Sequence, residues 1–202
     1  MKENARIEAF SDGVFAIAIT LLILELRVPS HDSIHSVADL WKGLIDLWPS
    51  YFAFLLSFGI ILVSWVNHHY LFNLLEKSSR TFLYANGFLL LTITFMPFPT
   101  ALLAEYIETE YAKPAIAFYC FGGVINCIGW ILLLKTVIKP KLLLHHGINV
   151  DLIYGIRRTT QLGFVVYTFS TVLAFWFPVI ALVMNLLLWI VWITLSINAK
   201  SD

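Results

Sequence analysis

The sequence places ionisable side chains at the edge of a stretch that is long enough to cross a membrane. Arg6, Glu8 and Asp12 come directly before an apolar run that covers residues 13–24. An ionised group at the centre of a membrane helix costs roughly 2.5–3.5 kcal/mol or more, so a group retained there usually has a function. Asp12, about one turn inside the predicted span, is therefore a candidate functional residue.

Two adjacent histidines, His68 and His69, are the best candidates for metal binding. Adjacent side chains on a helix point about 100° apart, however, and bind one ion poorly. We expect them instead to lie at the inner membrane face as hydrogen-bonding or titrating groups. The sequence has no glycine-rich phosphate loop, no His-Glu-x-x-His helix and no paired-cysteine zinc spacing. It also offers no set of nucleophile, base and orienting residue, so neither an enzyme nor a metal or other cofactor is expected.

The helix that positions Asp12 has two chemically different faces. Residues 7–28 would form a helix of about 33 Å, which is sufficient to cross the hydrocarbon core. At 100° per residue, one apolar stripe is formed by Ile17, Leu21 and Leu24. Thr20 lies at the edge of this stripe, whereas Ser11 and Asp12 point toward the opposite face. Rings of such aliphatic side chains around an axis resist wetting and can gate a pore. Periodicity alone, however, favours packing of the stripe against neighbouring helices or lipid.

Ser11 and Asp12 need partners, because polar groups are expensive to bury unpaired. Antiparallel neighbouring spans place the end of the second and the start of the third at the depth of these residues. The candidates available there are Trp65, Asn67, His68, His69, Arg80 and Asn86. We expect a supporting polar network that holds the first helix in place.

Composition indicates a polytopic membrane protein. Of 202 residues, 59% are hydrophobic and 13% are charged, with a mean hydropathy of +0.82, whereas soluble domains carry about 25% charge. The formal net charge is zero and no basic cluster is dense, which argues against nucleic-acid binding. Cys120 and Cys127 would lie about 10 Å apart on one helix face, so we expect free, buried thiols rather than a disulfide. No small-residue cleavage site follows Leu24, so the first helix is not interpreted as a signal peptide.

The apolar segments predict an all-α integral membrane protein with one domain that covers residues 1–202. The predicted spans are about 7–28, 48–74, 81–103, 112–137, 154–175 and 179–197, with an interfacial amphipathic helix at about 36–47. Pro97 and Pro99 should kink the third span. Gly122, Gly123 and Gly129 should allow close helix contact in the fourth.

Basic residues near the span ends predict the orientation. With six spans, one side would hold Lys2, Arg6, Lys77, Arg80, Lys135, Lys139, Lys141, Arg157, Arg158 and Lys200. The other side would hold Arg27, Lys42 and Lys113. An excess of basic residues marks the cytoplasmic side, so both termini are predicted to be cytoplasmic.

One string on the first helix also resembles a family signature. Arg6-x-x-x-Phe10-Ser11-Asp12, followed by Gly-Val-Phe-Ala-Ile-Ala-Ile-Thr, is similar to the signature of the transmembrane protein 175 family, the endosomal and lysosomal potassium channels and their prokaryotic relatives. The six-span layout and the patch from Trp65 to Phe72 resemble that family as well. Because the motif occurs once, the chain looks like the prokaryotic form, which implies a homotetramer in a prokaryotic plasma membrane.

The resemblance implies a potassium-preferring cation channel, with lipid and permeant monovalent cations as its only other partners. The first helix of each of four subunits would line a central pore. The implied constriction consists of Ile17, Leu21 and Leu24. Thr20 would contribute to cation preference. The motif residues that would anchor the helix are Arg6, Phe10, Ser11 and Asp12. The Thr-Val-Gly-Tyr-Gly filter of other potassium channels is absent.

Two further functions stay open at this point. A secondary transporter or proton pathway would relay protons through Asp12 and His68 or His69, but the broken helix or inverted repeat that it predicts is not visible. An intramembrane enzyme that uses a histidine would need a carboxylate at matching depth, which Asp12 could supply.

Overall fold

The computed structural model describes residues 4–138, 144–145 and 150–198, and this part of the chain is helical almost throughout. It contains the helices α1 (Ala5–Leu21), α2 (Val37–Asp46), α3 (Trp48–Asn73), α4 (Arg80–Phe95), α5 (Pro97–Tyr106), α6 (Ala112–Ile138), α7 (Val150–Leu173) and α8 (Pro178–Asn198). The predicted all-helical architecture is thus confirmed. Four basic residues used to predict the orientation lie outside the described residues: Lys2, Lys139, Lys141 and Lys200.

The first helix is shorter than the predicted 7–28. Its α-helical part ends at Leu21, a 3₁₀ turn continues over Leu22–Glu25, and Leu26 leaves the helix with φ −85° and ψ 88°. Pro29 explains part of this, because the residue before a proline is disfavoured in the helical region and the chain must already be extended there. The α-helix and the 3₁₀ turn together still measure about 33 Å.

Four stretches of the described residues are long and apolar enough to cross a membrane. They are Ala5–Glu25, Trp48–Asn73, Arg80–Tyr106 and Ala112–Ile138. Pro178–Thr194 is a shorter apolar helix, and α7 begins at Val150, four residues before the predicted fifth span. Four of the six predicted crossings therefore have the expected length and composition, and the crossing of α7 and α8 stays a prediction.

The third predicted span is interrupted at its prolines. The helix α4 ends at Phe95 and α5 begins at Pro97, with Met96 between them. Proline lacks the backbone N–H that would continue the helix, and its ring clashes with the preceding turn. The predicted kink is therefore present as a break between two helices.

The start of α1 and the ends of α3 and α6 meet at one end of the bundle, which we call the basal end. Asn4 Nδ2 donates a hydrogen bond to the Leu75 carbonyl oxygen over 3.3 Å. The backbone N–H of His145 donates to the Leu74 carbonyl oxygen over 3.1 Å, and Leu75 forms an isolated antiparallel bridge with Leu144. One short segment after α3 thus holds both the first helix and the connection that follows α6.

The amphipathic helix predicted at about 36–47 is observed as α2. The Ser36 hydroxyl caps it by accepting a hydrogen bond from the Asp39 backbone N–H over 3.1 Å. Hydrogen bonds from the Ser36 side chain and the His35 backbone N–H lower the pKa of Asp39 below its ordinary value, so its carboxylate stays charged at neutral pH. Val37, Trp41 and Ile45 are exposed on one apolar face. Its location in the membrane interface stays a prediction.

Glycines set the spacing of the remaining helices. A Cβ atom placed on Gly123 would lie 2.5 Å from Cδ1 of the Tyr167 ring, and one on Gly129 would lie 3.2 Å from the Leu89 Cα atom. Gly122 differs, because its nearest neighbour, Pro99, would be at an ordinary 3.5 Å. Two of the three glycines predicted to permit close contact therefore do so. Cys120 and Cys127 on the same helix are free and buried, as expected.

We expect Gly123→Ala to destabilise the protein by about 1–3 kcal/mol, because the new methyl group would clash with the buried Tyr167 ring. Gly155→Ala is the matched control, since nothing lies within 4 Å of its Cβ position. The control should be neutral or stabilising by up to about 1 kcal/mol. Thermal unfolding in detergent measures both. Equal unfolding temperatures for the two variants would contradict the close α6–α7 contact.

Candidate functional site

A buried chain of hydrogen bonds joins α3, α4 and α1 near the basal end. His68 Nε2 lies 2.8 Å from Asn86 Oδ1, and Asn86 Nδ2 donates to Ser11 Oγ over 3.0 Å. Ser11 in turn donates to the Ile7 carbonyl oxygen over 2.9 Å. Because the Asn86 oxygen can only accept, His68 must donate from Nε2. All three side chains are buried, so the chain fixes one face of α1 inside the subunit.

Asp12 makes a second link between α1 and α3. The Trp65 indole Nε1–H donates to Asp12 Oδ1 over 2.9 Å. A carboxylate that accepts a hydrogen bond from a neighbouring helix avoids part of the cost of leaving water. The indole holds the carboxylate on the α3 side of the helix, away from the aliphatic stripe.

Glu8 and His69 form a third link, one turn nearer the basal end. His69 Nδ1 lies 3.1 Å from Glu8 Oε1, with the two side chains 47% and 20% exposed. Sequence reasoning did not pair these residues, although the signal was present: Glu8 precedes Asp12 by four positions and His69 follows Trp65 by four. On antiparallel helices, two such pairs must come into register together.

The expected network is therefore only partly assembled within the subunit. Asn67 lines a cavity on a different side of α3 from the residues that contact α1. Arg80 is exposed at the start of α4. Neither side chain makes a hydrogen bond to a described residue. Both residues lie at the predicted depth, but depth alone does not decide which face of a helix a residue occupies. The motif residues Arg6 and Phe10 are exposed too, and contacts to α3 and α4 come from Ser11 and Asp12 instead.

The aliphatic stripe lies on the face of α1 that the subunit leaves uncovered. Ile17, Leu21 and Leu24 are 58%, 41% and 68% exposed. On the opposite face, Phe15, Ala18 and Leu22 are at most 1% exposed and belong to the main hydrophobic core. The sequence prediction of two distinct faces is matched by this burial pattern, although Leu24 lies on the 3₁₀ turn rather than on the α-helix.

Thr20 is exposed beside the stripe. Its hydroxyl lies 3.0 Å from the Ala16 carbonyl oxygen and 2.9 Å from that of Ile17. Because the hydroxyl hydrogen is donated to these backbone carbonyl oxygens, the lone pairs of the exposed hydroxyl oxygen remain available to accept another contact. The uncovered face thus presents one oxygen ligand among aliphatic side chains.

The two histidines point in different directions, as their spacing requires. His68 is buried against the Phe72 ring, with centroids 4.5 Å apart, while His69 is exposed and stacks on Trp65. No group of three or more metal-ligating side chains occurs among the residues that the structure describes. The site therefore consists of an α1 helix that is held firmly along one face and bare along the other, with no reactive group aimed at the bare face.

Comparison with known proteins gives consistent matches. The family model described as "Endosomal/lysosomal potassium channel TMEM175" matches residues 6–97, which include all of α1 except its first residue and the whole of α2 to α4. A potassium channel of Chamaesiphon minutus is 57% identical over 117 residues, which are 58% of this chain and 57% of that protein. The match thus spans little more than half the length of that relative.

Two further matches extend over nearly the whole chain. A potassium channel of a Chryseobacterium species is 31% identical over 193 residues, which are 94% of this chain and 92% of that protein. The crystal structure of a lysosomal potassium-selective channel TMEM175 homolog from Chamaesiphon minutus matches with a TM-score of 0.87 and 39% identity, covering 97% of this chain and 99% of that one.

Proposed function

Because the chain belongs to the TMEM175 family of endosomal/lysosomal potassium channels, we propose that it is a subunit of a potassium-preferring cation channel. The family is one of ion channels and not of enzymes, and the apolar helices are those of an integral membrane protein. In the proposed assembly, the α1 helices of four copies surround a central pore. The conducting species are monovalent cations, and no cofactor takes part.

The observation that carries the proposal is the division of α1 into an anchored and an uncovered face. Polar links at Ser11, Asp12 and Glu8 fix the helix to its own subunit. The opposite face exposes large aliphatic side chains over about two turns. A helix held in this way can present the same stripe from every copy around an axis without losing its own packing.

The constriction follows from the chemistry of the stripe. Rings of Ile17, Leu21 and Leu24 offer no oxygen to replace the water around an ion, so they form a barrier that opens when the ring widens and wets. Thr20 supplies the nearest hydroxyl oxygen and is assigned to cation preference. Arg6 and Phe10, exposed on the isolated subunit, would meet neighbouring copies near the pore entrance.

The orientation is the one that the basic residues predict. The basal end would face the cytoplasm of a prokaryotic cell and hold both termini. The amphipathic helix α2 would then lie at the opposite interface, with Trp41 and Trp48 at headgroup depth.

A proton pathway or transporter through Asp12 and His68 or His69 is the second candidate. The observation in its favour is the ordered hydrogen-bond chain from His68 to Ser11. That chain ends, however, at the Ile7 backbone carbonyl and does not reach the uncovered face. It fits the anchoring role better.

Single-channel recording of the reconstituted protein tests the proposal. We expect discrete unitary potassium currents and a reversal potential that favours potassium when sodium replaces it on one side. Lipid bilayers without protein are the control. Potassium flux without unitary steps would favour a transporter, and a current that follows only the proton gradient would favour the proton pathway.

A further inference from the structure

A cavity of about 410 Å³ lies at the end of the bundle opposite the basal end, and we call it the apical cavity. It is formed where the 3₁₀ turn after α1, the start of α3 and the helix α5 meet. Its volume falls within the range of about 300–1,000 Å³ that is typical of small-molecule sites. The space is thus sufficient for a small polar group with part of the chain attached to it.

The lining carries charged side chains of both signs that do not pair with one another. Arg27 contributes a guanidinium group, and Glu25 and Glu105 contribute carboxylates. Arg27 and Glu105 are exposed and Glu25 is half-buried, so all three groups are accessible to a ligand. In the part of the chain that the structure describes, no ion pair joins Arg27 to either carboxylate. A ligand that carries one cation and one anion would therefore complement the whole set.

Local packing fixes the backbone on the sides of this cavity. The 3₁₀ turn at the end of the first span contacts both α3 and α5. Just after Arg27, Pro29 packs closely on α2, since a Cβ atom placed on Gly43 would lie only 3.1 Å from the Pro29 Cβ atom. Trp48 Nε1 donates to Glu108 Oε1 over 3.0 Å, which ties the start of α3 to the segment after α5. The fold therefore holds the three charged residues around one space.

Much of the remaining lining is apolar. Leu47, Phe98 and Leu102 contribute large apolar side chains, and the Phe98 side chain is 57% exposed. Leu47 connects α2 to Trp48, and both of these are predicted to lie at headgroup depth. Charged groups beside apolar walls at this depth match the boundary between the headgroup and the acyl chains of a phospholipid.

We propose that the apical cavity binds the headgroup of a phosphatidylethanolamine molecule. Arg27 pairs with the phosphate, because a guanidinium group donates two parallel hydrogen bonds to phosphate oxygens. Glu25 and Glu105 pair with the primary ammonium group, which offers three N–H donors. The carboxylates repel a purely anionic headgroup, and a choline headgroup has no N–H to donate to them. The proposal does not depend on the channel function, since binding is measured without ion flux.

Short-chain lipids test the assignment on the purified full-length protein in detergent, with thermal unfolding as the measurement. Dihexanoyl-phosphatidylethanolamine should raise the unfolding temperature by about 5–10 °C at about 100 times its Kd. The phosphatidylcholine and phosphatidylglycerol of the same chain length should bind about tenfold more weakly or worse. Equal affinities for the three lipids would overturn the proposal.

The free headgroup, O-phosphoethanolamine, distinguishes a lipid from a soluble zwitterion as the ligand. It makes the same charged contacts but lacks the acyl chains that contact the apolar walls. We expect it to bind about tenfold more weakly than the lipid, the factor for burying roughly two CH₂ groups. An affinity equal to that of the lipid would overturn the assignment to a phospholipid.

Substitutions in the lining should act differently on the two lipid classes. Arg27→Gln should weaken the binding of phosphatidylethanolamine about tenfold. Glu105→Gln should weaken it about 2- to 5-fold but strengthen the binding of phosphatidylglycerol, because a carboxylate that repels the anionic lipid is removed. A damaged fold cannot produce that gain. Glu110→Gln, at an exposed position outside the lining, is the matched control and should leave both affinities unchanged. Native affinities for both lipids in Arg27→Gln and Glu105→Gln would overturn the proposal.

Discussion

Replacing Ile17 with asparagine is expected to raise the potassium conductance of the reconstituted channel about tenfold and to reduce its preference for potassium over sodium. An ion that passes an aliphatic ring must lose water without gaining another ligand. A hydrogen bond or similar contact to a charged group is worth about 1.5–3 kcal/mol, and a barrier lowered by about 1.4 kcal/mol increases a rate tenfold. An amide at this position supplies such contacts to either alkali ion, so the discrimination imposed by dehydration should fall as the conductance rises.

Ile23→Asn is the matched control for this variant. Ile23 is exposed to a similar extent, 51% against 58%, but it lies on the 3₁₀ turn and points away from the stripe. Its conductance and reversal potential should remain those of the native channel. If Ile17→Asn left both quantities unchanged, or if Ile23→Asn changed them equally, the stripe would not be the constriction.

The two faces of α1 could be predicted from the sequence because helical periodicity alone fixes them. A step of 100° per residue places Ser11 and Ile17 on different sides whatever the rest of the fold does. The structure buries Ser11 completely and leaves Ile17 exposed. What periodicity could not supply is the environment of the bare side, since lipid and a pore lined by other copies leave the same pattern in one chain.

The members of the polar network were harder to predict, for a physical reason. Depth in the membrane follows from position along a span, and by depth alone Asn67 and Arg80 are as available to Asp12 as Trp65 is. Which residues meet also depends on the rotation of α3 and α4 about their axes, and that is set by packing distributed over the whole bundle. Asn67 is turned toward the cavity beside α6 and α7 instead.

The α-helical part of α1 ends earlier than hydropathy predicts, because hydropathy does not distinguish an α-helix from a 3₁₀ turn. Leu22–Glu25 is as apolar as the preceding turn, apart from its last residue, yet it adopts the tighter 3₁₀ form. Leu24 is consequently displaced from the strict 100° register that relates Ile17 to Leu21. Of the three proposed constriction residues, it is the one whose angle about the helix axis the sequence specifies least.

Asn86→Leu is expected to destabilise the folded protein by about 2–4 kcal/mol. The side-chain amide is the central member of the buried chain, accepting from His68 and donating to Ser11. Leucine is similar in size but removes both bonds at once, which leaves an imidazole N–H without an acceptor and a hydroxyl without its donor. Each buried polar group left unpaired costs about 1–3 kcal/mol. Because the chain joins α1 to α3 and α4, the loss should also loosen the helix that carries the stripe.

Asn67→Leu provides a control of the same chemistry on the adjoining helix, since Asn67 makes no side-chain hydrogen bond to a described residue. It should change the free energy of unfolding by no more than about 0.5 kcal/mol. Thermal or denaturant unfolding in detergent compares the two variants. A double-mutant cycle with Ser11→Ala should give a coupling energy of about 0.5–3 kcal/mol, because removing Ser11 after Asn86 has already been replaced disrupts less. Equal stabilities for Asn86→Leu and Asn67→Leu, or strictly additive effects with Ser11→Ala, would show that the buried chain does not hold α1. The stripe would then need another means of support for its position at the pore axis.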